Sequence, residues 1–400
     1  MVNYDFLSVY FYSVPNLRFS QFIEPWSNYV VSELLSTFPT NSLSWDQLTN
    51  KQDSSLKNLH YGLIHNGFAM TCITGDNQLF PYIKHSFIPT KYALIQNGDL
   101  ILADASEDRK DVGRPVEMLD IRNQKIVSGL HTIHARNKTD LIANGFKGFY
   151  FQSSAMKQQI FKIANGSKIY GISSSAFNEL KMSIPEKKEQ KKIVDLMIKI
   201  EERILTQIKI IDTLSSQKKQ IRNLIFKDIH KNVNCCIQDY VVYEQPQKYI
   251  VHSTDYLSYG KDYIPVLTAN QSFILGYTLE KDGIYEKGDC IIFDDFTNEN
   301  KYVDFPFKVK SSALKILQTK EGLMLKFFYE YLQFLKFEST DHKRHYLSEV
   351  AVTDINVPNL KEQTFVCKVF NSFDSKLKNE EALLEKYRLQ KQFLLNNLFI

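Results

Sequence analysis

Features that would place the chain in a membrane or in an oxidising compartment are missing from its 400 residues. No run of about 18 consecutive apolar residues occurs, which argues against a membrane-spanning helix. The segment from Met1 to Tyr12 contains no Lys or Arg, so it does not predict a secretory signal. The five cysteines form no Cys-x2-Cys pair and have no histidines at ligand spacing, so we expect reduced thiols, a cytoplasmic protein and no zinc site.

Sequence motifs of catalysis are also missing. No Asn-Pro-Pro or Asp-Pro-Pro run precedes an aromatic residue, the arrangement that positions an exocyclic amine for methyl transfer. Gly166-x4-Gly171 lacks the Lys-Ser/Thr of a phosphate-binding loop. We interpret Asp294-Asp295 as a strand end facing solvent or a base edge, the alternative being a metal-binding carboxylate pair. The sequence therefore predicts no catalytic residue, no metal site and no cofactor.

Two long stretches lack both proline and glycine, Glu186 to Asn232 and Asn359 to Ile400. A Pro-x3-Glu-Gln motif opens each one, from Pro185 to Gln190 and from Pro358 to Gln363, and proline suits the first turn of a helix. The two copies align at an offset of 173 residues, without a gap, for about forty positions. A repeat of this kind predicts two equivalent long helices.

Apolar residues in both stretches recur at alternating steps of four and three, the heptad pattern of a coiled coil. This seam runs from Ile193 to Ile225 in the first copy and from Val366 to Leu398 in the second. At about 1.5 Å per residue, the first seam would be roughly 50 Å long.

Polar residues interrupt both seams at equivalent positions. Gln207 corresponds to Glu380, and Lys218 corresponds to Lys391. Such residues cost stability but can fix the register of paired helices. The alternative is that they occupy solvated parts of the seam, where their long stems reach water.

The repeat divides the chain into blocks of residues 1–183, 184–232, 233–356 and 357–400. The two globular blocks look weakly related, because Gly98-Asp99 and Gly288-Asp289 each precede a short apolar run that reads as a buried strand. The predicted fold class is α+β, an internal repeat of two globular domains, each followed by a long coiled-coil helix. Within the domains we expect second strands at Ser128–Ala135 and Ser311–Leu317, and helices around Phe149–Ile163 and Leu323–Phe337.

Positive charge is concentrated in the two repeated stretches. Residues 186–231 carry twelve Lys/Arg against seven Asp/Glu, and residues 359–400 carry seven against five. Because the whole chain is +4, the rest of it has a net charge of −3. Nucleic-acid binders usually present a basic surface, so these globular blocks would need local basic clusters or a basic partner.

An ordered, duplicated set of motifs resembles the DNA-specificity subunits of type I restriction–modification systems. The set covers nearly the whole chain, although each motif alone is weak. Besides the two Pro-x3-Glu-Gln helix entrances, its members are Val14–Phe19 with Trp26, Gly98–Ile101, Asp104–Ser106, Ser128–Thr132, Asn165–Tyr170, Phe273–Tyr277, Ile292–Phe296 and Val303–Phe307.

The resemblance implies a division of labour between the blocks. Residues 1–183 and 233–356 would be target-recognition domains, each reading one half-site of a bipartite, asymmetric target in double-stranded DNA. The two long antiparallel coiled-coil helices at 184–232 and 357–400 would separate the domains, which gives the fold a pseudo-two-fold internal repeat. They would also set the spacer between the half-sites and dock two methyltransferase subunits. Restriction subunits that translocate DNA would join the complex. The chain itself would not be catalytic, and we expect no membrane partner.

Candidate DNA-contacting residues follow from side-chain type and predicted loop position, since Arg, Lys and Asn bind base edges and Tyr binds phosphate. Ten residues are the first candidates, and Asn298, Lys301 and Lys248 rank below them. The alternative for each of these residues is that it is an ordinary solvated loop residue without a DNA contact. Residues 1–13 have no assigned role beyond an N-terminal extension that packs on a partner. The candidates are Lys168, Tyr170, Arg109, Arg114 and His131 in the first domain and His342, Lys343, Arg344, His345 and Tyr346 in the second.

Two other functions are compatible with the same sequence. In one, the coiled coil is the functional part of a scaffold and the globular domains bind protein. In the other, the chain is a nuclease or methyltransferase whose active site matches no known motif. Exchange of residues 1–183 for a homologous segment would leave DNA specificity unchanged in the first case. Turnover by the isolated chain with Mg²⁺ or a methyl donor would identify the second.

Overall fold

The computed structural model describes residues 14–75, 79–260, 262–269, 272–337 and 345–400. The segment from Met1 to Ser13, expected to be an extension, lies outside these residues. The described residues form two compact units. Unit 1 contains the described residues up to Lys209 together with Glu381–Ile400, and unit 2 contains those of Ile210–Glu380.

Unit 1 is built on a five-stranded sheet in the order β2-β11-β7-β9-β5, in which only the β9–β5 pair is parallel. A four-stranded sheet, β10-β4-β6-β3, and the pairs β1–β13 and β8–β12 complete it. The elements of unit 1, in chain order, are β1 (Ser27–Val30), α1 (Val31–Leu34), β2 (Leu35–Phe38), β3 (Leu48–Thr49), β4 (Leu56–Leu59), α2 (Tyr61–Asn66), β5 (Cys72–Thr74), β6 (Tyr82–Ile83), β7 (Leu100–Ala103), β8 (Ala105–Ser106), β9 (Pro115–Asp120), β10 (Lys125–Ser128), β11 (Thr132–Asn137), α3 (Phe146–Gln152), α4 (Ser154–Ile163), β12 (Tyr170–Gly171), α5 (Ser174–Asn178), β13 (Lys181–Ile184) and the first part of α6 (Lys187–Ile229).

Unit 2 repeats this plan with an antiparallel sheet in the order β15-β21-β18-β19. The order matches β2-β11-β7-β9 of unit 1 strand for strand. A smaller sheet, β17-β16-β20, and the pair β14–β22 complete it. After the end of α6, its elements are β14 (Cys235–Cys236), α7 (Ile237–Tyr240), β15 (Val241–Glu244), β16 (Ile264–Leu267), β17 (Ile274–Thr278), β18 (Cys290–Asp294), β19 (Asn300–Val303), β20 (Lys308–Val309), β21 (Leu314–Thr319), α8 (Leu325–Leu335), a π-helical turn (Tyr346–Val350), β22 (Asp354–Ile355) and the first part of α9 (Leu360–Asn397).

Each Gly-Asp motif forms the turn that leads into the central strand of its sheet. Gly98 and Gly288 have φ angles of +83° and +90°, a region that glycine enters without steric cost. In unit 1 the Asp99 carboxylate is fully buried and lies 2.7 Å from His134 Nε2, while Arg136 donates to it at 2.8 Å. The predicted relation between the two motifs is confirmed by the equivalent positions of β7 and β18.

Both long helices have the predicted seam on their buried side. Ile193, Met197, Val366 and Phe370 are almost completely buried, and no predicted apolar seam residue is exposed. The helices are antiparallel, because Glu201 of α6 pairs with Lys391 of α9 in unit 1 while Lys218 pairs with Asp374 in unit 2. The α6 helix begins at Lys187 and is followed at His230 by a single 3₁₀ turn.

These two ion pairs are the same contact made twice. Lys391 Nζ lies 2.6 Å from Glu201, Lys218 Nζ lies 2.5 Å from Asp374, and both pairs of positions are related by the offset of 173. Asp374 loses solvation, which raises its pKa, but hydrogen bonds from Lys218 and Lys326 outweigh this and lower the pKa overall. The two interrupting lysines therefore bond to the facing helix, which supports the register interpretation over the solvated one.

The glutamine of each Pro-x3-Glu-Gln motif ties a long helix to its own globular part. In unit 1, Gln190 accepts a hydrogen bond from Ala143 N at 2.8 Å and donates to Leu141 O at 2.9 Å. In unit 2, Gln363 accepts from Met324 N at 2.7 Å and donates to Gly322 O at 2.8 Å. Each glutamine also donates to the carbonyl of the proline in its own motif at 2.8 Å. The motif thus fixes where the helix leaves the domain.

An aromatic contact is repeated in the same way near the other end of each helix. Phe399 packs against Phe146 and Tyr150 with ring centroids 5.7 and 5.8 Å away. Its repeat partner Phe226 packs against Phe327 and Tyr331 at 5.3 and 4.8 Å. Each long helix is therefore packed onto the helix of a globular part, α3 in unit 1 and α8 in unit 2.

Replacement of Gln190 or Gln363 by Ala is expected to lower the free energy of unfolding by about 2–3 kcal/mol, because buried backbone groups lose their partners. Denaturant unfolding followed by circular dichroism measures this loss. Gln217→Ala is the matched control, since Gln217 is exposed on α6, and its effect should stay within about 0.5 kcal/mol. Equal effects of the three substitutions would contradict the proposed contact.

Candidate nucleic-acid interface

His131 lies in the turn between β10 and β11 with a φ angle of +52°, a left-handed conformation uncommon for a residue with a side chain. Its Nδ1 is 3.3 Å from the Asp104 carboxylate, and its ring meets Tyr61 edge-on with centroids 5.3 Å apart. Loss of solvation raises the pKa of Asp104, although His131 opposes the shift. Half of the His131 side chain is exposed, so a held imidazole is accessible to a ligand.

Lys168 and Tyr170 belong to the loop that connects α4 to β12. Tyr170 pairs with Ser106 across the short β12–β8 ladder, which anchors one end of the loop. The backbone of Asn165 exchanges two hydrogen bonds with Gly171, which closes the loop at its base. Lys168 is exposed between these fixed points. The loop is therefore a short platform that presents a cation to solvent.

Arg109 supports this loop and does not extend into solvent. Its guanidinium lies 4.3 Å from the centre of the Phe161 ring and 5.8 Å from that of Tyr170. It also donates to Ala164 O at 3.2 Å. Of the five candidates in the first domain, Arg109 is thus the one whose contacts make it a positioning residue for its neighbours.

A cleft of about 490 Å³ lies between the His131 turn and the Lys168 loop. The aromatic side chains of Trp45 and Tyr61 line it together with His131, Asp108 and Ile169. Flat rings of this kind can stack on the face of a base, and mixed donors and acceptors can bond to its edge. Sequence reasoning missed Trp45 and Tyr61, because no periodic pattern links them to the later motifs.

Arg114 lies just before β9 and does not line the His131 cleft. It is 3.8 Å from Asp111, whose carboxylate also bonds to His65 at 2.6 Å. The hydrogen bond with Asp111 raises the pKa of His65, against a smaller opposing effect of lost solvation. Arg114 lines a second cavity, in which Lys110 and Lys157 also take part. Sequence reasoning did not select Lys110 or Lys157 as candidates. The presence of Lys157 and Lys162 on one helix, α4, was a signal of a basic surface.

Of the five candidates of the second domain, the structure describes only two, and both are buried. His342, Lys343 and Arg344 lie outside the described residues. Tyr346 is 1% exposed and packs in the core of unit 2, and His345 is 3% exposed with its Nδ1 2.9 Å from Glu349. Burial gives Tyr346 and His345 structural roles, so we leave them out of the DNA-contacting set.

The carboxylate pair at the end of β18 is also structural. Asp295 lies 3.1 Å from the buried Lys315 and accepts a hydrogen bond from Tyr346 N. Asp294 accepts from the backbone of Phe296 and Thr297 and so closes the following turn. These internal contacts account for both carboxylates without a contact to a DNA base or to a metal ion.

Among the described residues, one group has a metal-ligand arrangement: His252, Glu280 and Asp282. The Glu280 carboxylate already accepts hydrogen bonds from His252 N and Ser253 N and pairs with Lys308 at 2.7 Å. His252 pairs with Asp282 at 3.1 Å. These contacts explain the cluster without an ion. No helix within the described ranges is both long and apolar enough to cross a membrane.

Arg109→Ala is expected to loosen the loop of residues 165–171, because it removes a cation–π contact and a hydrogen bond worth together about 1–2 kcal/mol. Hydrogen exchange of the loop amides should accelerate roughly tenfold, the rate equivalent of 1.4 kcal/mol. Lys168→Ala is the control, since its side chain is exposed and its removal should leave the exchange rates unchanged. Equal protection in both variants would exclude a supporting role for Arg109.

Comparison with known sequences locates one family domain in this chain. Residues 82–215 match the family model described as type I restriction modification DNA specificity domain. A segment of 122 residues is 48% identical to the specificity subunit of the Escherichia coli type I restriction enzyme EcoR124I/EcoR124II. That match covers 29% of this chain and 30% of the relative.

Solved structures with the same fold cover far more of the chain. The type I restriction–modification S subunit from M. genitalium superposes with a TM-score of 0.58 at 15% identity, over 97% of this chain and 99% of its own. A chain from a structure of type I R-M complex assembly and conformational transition superposes with a TM-score of 0.54 at 12% identity, over 92% and 96%. The predicted fold class is confirmed. This chain therefore resembles the S subunits of type I restriction–modification systems over nearly its whole length, and its residues 82–215 match the DNA specificity domain of that family.

Proposed function

We propose that this chain is the DNA specificity subunit of a type I restriction–modification complex. The observation that carries the proposal is the match of residues 82–215 to the specificity domain, combined with a second unit of the same strand order. Residues 1–183 and 233–356 are the proposed recognition domains. Each would read one half-site of a bipartite target in double-stranded DNA, and the differences between their loops would make the half-sites different.

In this proposal the first domain reads DNA through the cleft at His131. His131 and Ile169 line this cleft, and Lys168 and Tyr170 are the sequence neighbours of Ile169. Arg109 lies 5.8 Å from the centre of the Tyr170 ring and would support this loop. Arg114 belongs to a separate basic surface. For the second domain, His342, Lys343 and Arg344 stay as proposed contacts on the strength of their residue types.

The proposed roles of the long helices, residues 184–232 and 357–400, are to set the spacer and to dock two methyltransferase subunits. Exposed apolar side chains such as Leu224 and Phe393 offer contact area on α6 and α9. Restriction subunits would join this complex in the cytoplasm. The chain itself would be non-catalytic, so methyl transfer and cleavage would depend on the partners.

Insertion of four residues into each long helix tests the proposal. Four residues add about 6 Å of helix, close to the rise of two base pairs. We expect the complex reconstituted with its methyltransferase subunits to methylate a target with a longer gap and unchanged half-sites. Sequencing of methylated sites in a randomised DNA library measures both.

The same library with the unaltered chain provides the control. A wild-type complex without any sequence preference would refute the specificity function and favour the scaffold alternative. An altered half-site with an unchanged gap would refute the proposed division of labour between domains and helices.

A further inference from the structure

A second cavity of unit 1 is lined by an unusual number of positive charges. It measures about 250 Å³ and lies where the loop before β9, helix α4 and the last part of α9 meet. Four cationic side chains line it, and the Asp111 side chain is its one carboxylate among the described residues. The cationic side chains are Lys110, Arg114, Lys157 and Lys391.

Internal ion pairs neutralise only part of this charge. Asp111 is shared between Arg114 and His65, and Lys391 is paired with Glu201 at 2.6 Å. Within the described part of the chain, neither Lys110 nor Lys157 has a carboxylate within 4 Å. Loss of solvation lowers the pKa of Lys157, and repulsion by Lys391 and Arg114 adds to this, against attraction by Asp111. The cations are therefore held close together with too few anions.

The positive surface continues along α4. An adjoining cleft of about 420 Å³ shares Lys110 and Lys157 and adds Lys162, with the hydroxyl of Ser154 and the amide of Gln158 between them. Phe161, which is 41% exposed, forms an apolar wall and stacks on Arg109. Cations, neutral donors and an exposed ring in one groove are the features that follow a nucleic-acid backbone.

We propose that this basic track, made of Lys110, Arg114, Lys157, Lys162 and Lys391, binds the phosphate groups of one DNA strand. The inference rests on the proposed specificity function and deepens it. The track would position the first domain on DNA, while the His131 cleft, with Asp108 on its wall, would contact base edges. A local cluster of this kind removes the difficulty that the chain outside the long helices has a net charge of −3.

One member of the track belongs to a long helix. Lys391 is on α9, and its Glu201 partner on α6 accepts hydrogen bonds from the backbone and hydroxyl of Thr71 at 2.9 and 2.5 Å. Phosphate bound at the track would therefore touch the recognition domain and the helical frame together. The equivalent Lys218 of unit 2 bonds to Glu330 and Asp374, two carboxylates that it shares with Arg222 and Lys326.

The test compares variants in the reconstituted complex with the methyltransferase subunits. Lys110→Gln combined with Lys157→Gln should weaken binding of target DNA roughly tenfold near physiological salt. It should also reduce the slope of log K against log salt by about two, since each lost phosphate contact changes it by about 0.9. The methylated sequence should stay the same, because phosphate contacts carry no base information.

Lys51→Gln combined with Lys125→Gln is the matched control, with the same change of charge at two exposed positions of unit 1. It should leave the salt slope within about 0.5 of the wild type. Lys110→Arg combined with Lys157→Arg keeps the charge and should restore binding. Thermal unfolding of each variant within about 2 °C of the wild type excludes a folding defect as the cause.

An unchanged salt slope in the Gln double variant, with normal sequence preference of the wild type, would overturn the track and leave the specificity function intact. Thermal stabilisation by inorganic phosphate that is lost in this variant, without any change of slope, would also overturn it, because the bound group would then be a free phosphate. Absence of any sequence preference in the wild-type complex would refute the specificity function itself.

Discussion

The pairing of a lysine on one long helix with a carboxylate on the other is the contact on which the rest of the structure depends. It occurs once in each unit, as Lys391 with Glu201 and as Lys218 with Asp374. A polar residue in an apolar seam is tolerated only where its charge is satisfied, so the pair fixes one register of the helices and disfavours others. Because register is fixed, the seam residues on either side of each pair are also placed.

The two long helices also position the globular parts. Gln190 and Gln363 bond to loops that lie before α3 and α8, and Phe399 and Phe226 pack against those same helices. Each globular part is thus held to the helices by equivalent hydrogen bonds and equivalent rings. The loops, the smaller sheets, the short helices and the fifth strand of the main sheet, β5, differ between the units. Under the proposed function, a repeated frame with different loops would let the two units read two different half-sites.

Much of this fold could be predicted from the sequence because it depends on local patterns. Heptad spacing and the absence of proline predicted the long helices, and Gly-Asp turns followed by apolar runs predicted the central strands. The partners of Gln190 and Lys391 could not be predicted, since they are distant in the sequence. Candidate sites chosen by residue type were less secure: Tyr346 is a core residue, and the Arg109 guanidinium lies over the Phe161 ring and near that of Tyr170. Residue type alone does not report burial.

The central claim is that this chain chooses where DNA is methylated and that two different units make the choice. Sequencing of methylated bases in the host genome, with the gene present and with it deleted, tests the claim most directly. The account predicts that deletion removes methylation at one bipartite motif, with two unlike half-sites and a gap of constant length, and leaves other methylation unchanged. Loss of methylation at a single continuous motif, or no loss at all, would contradict it.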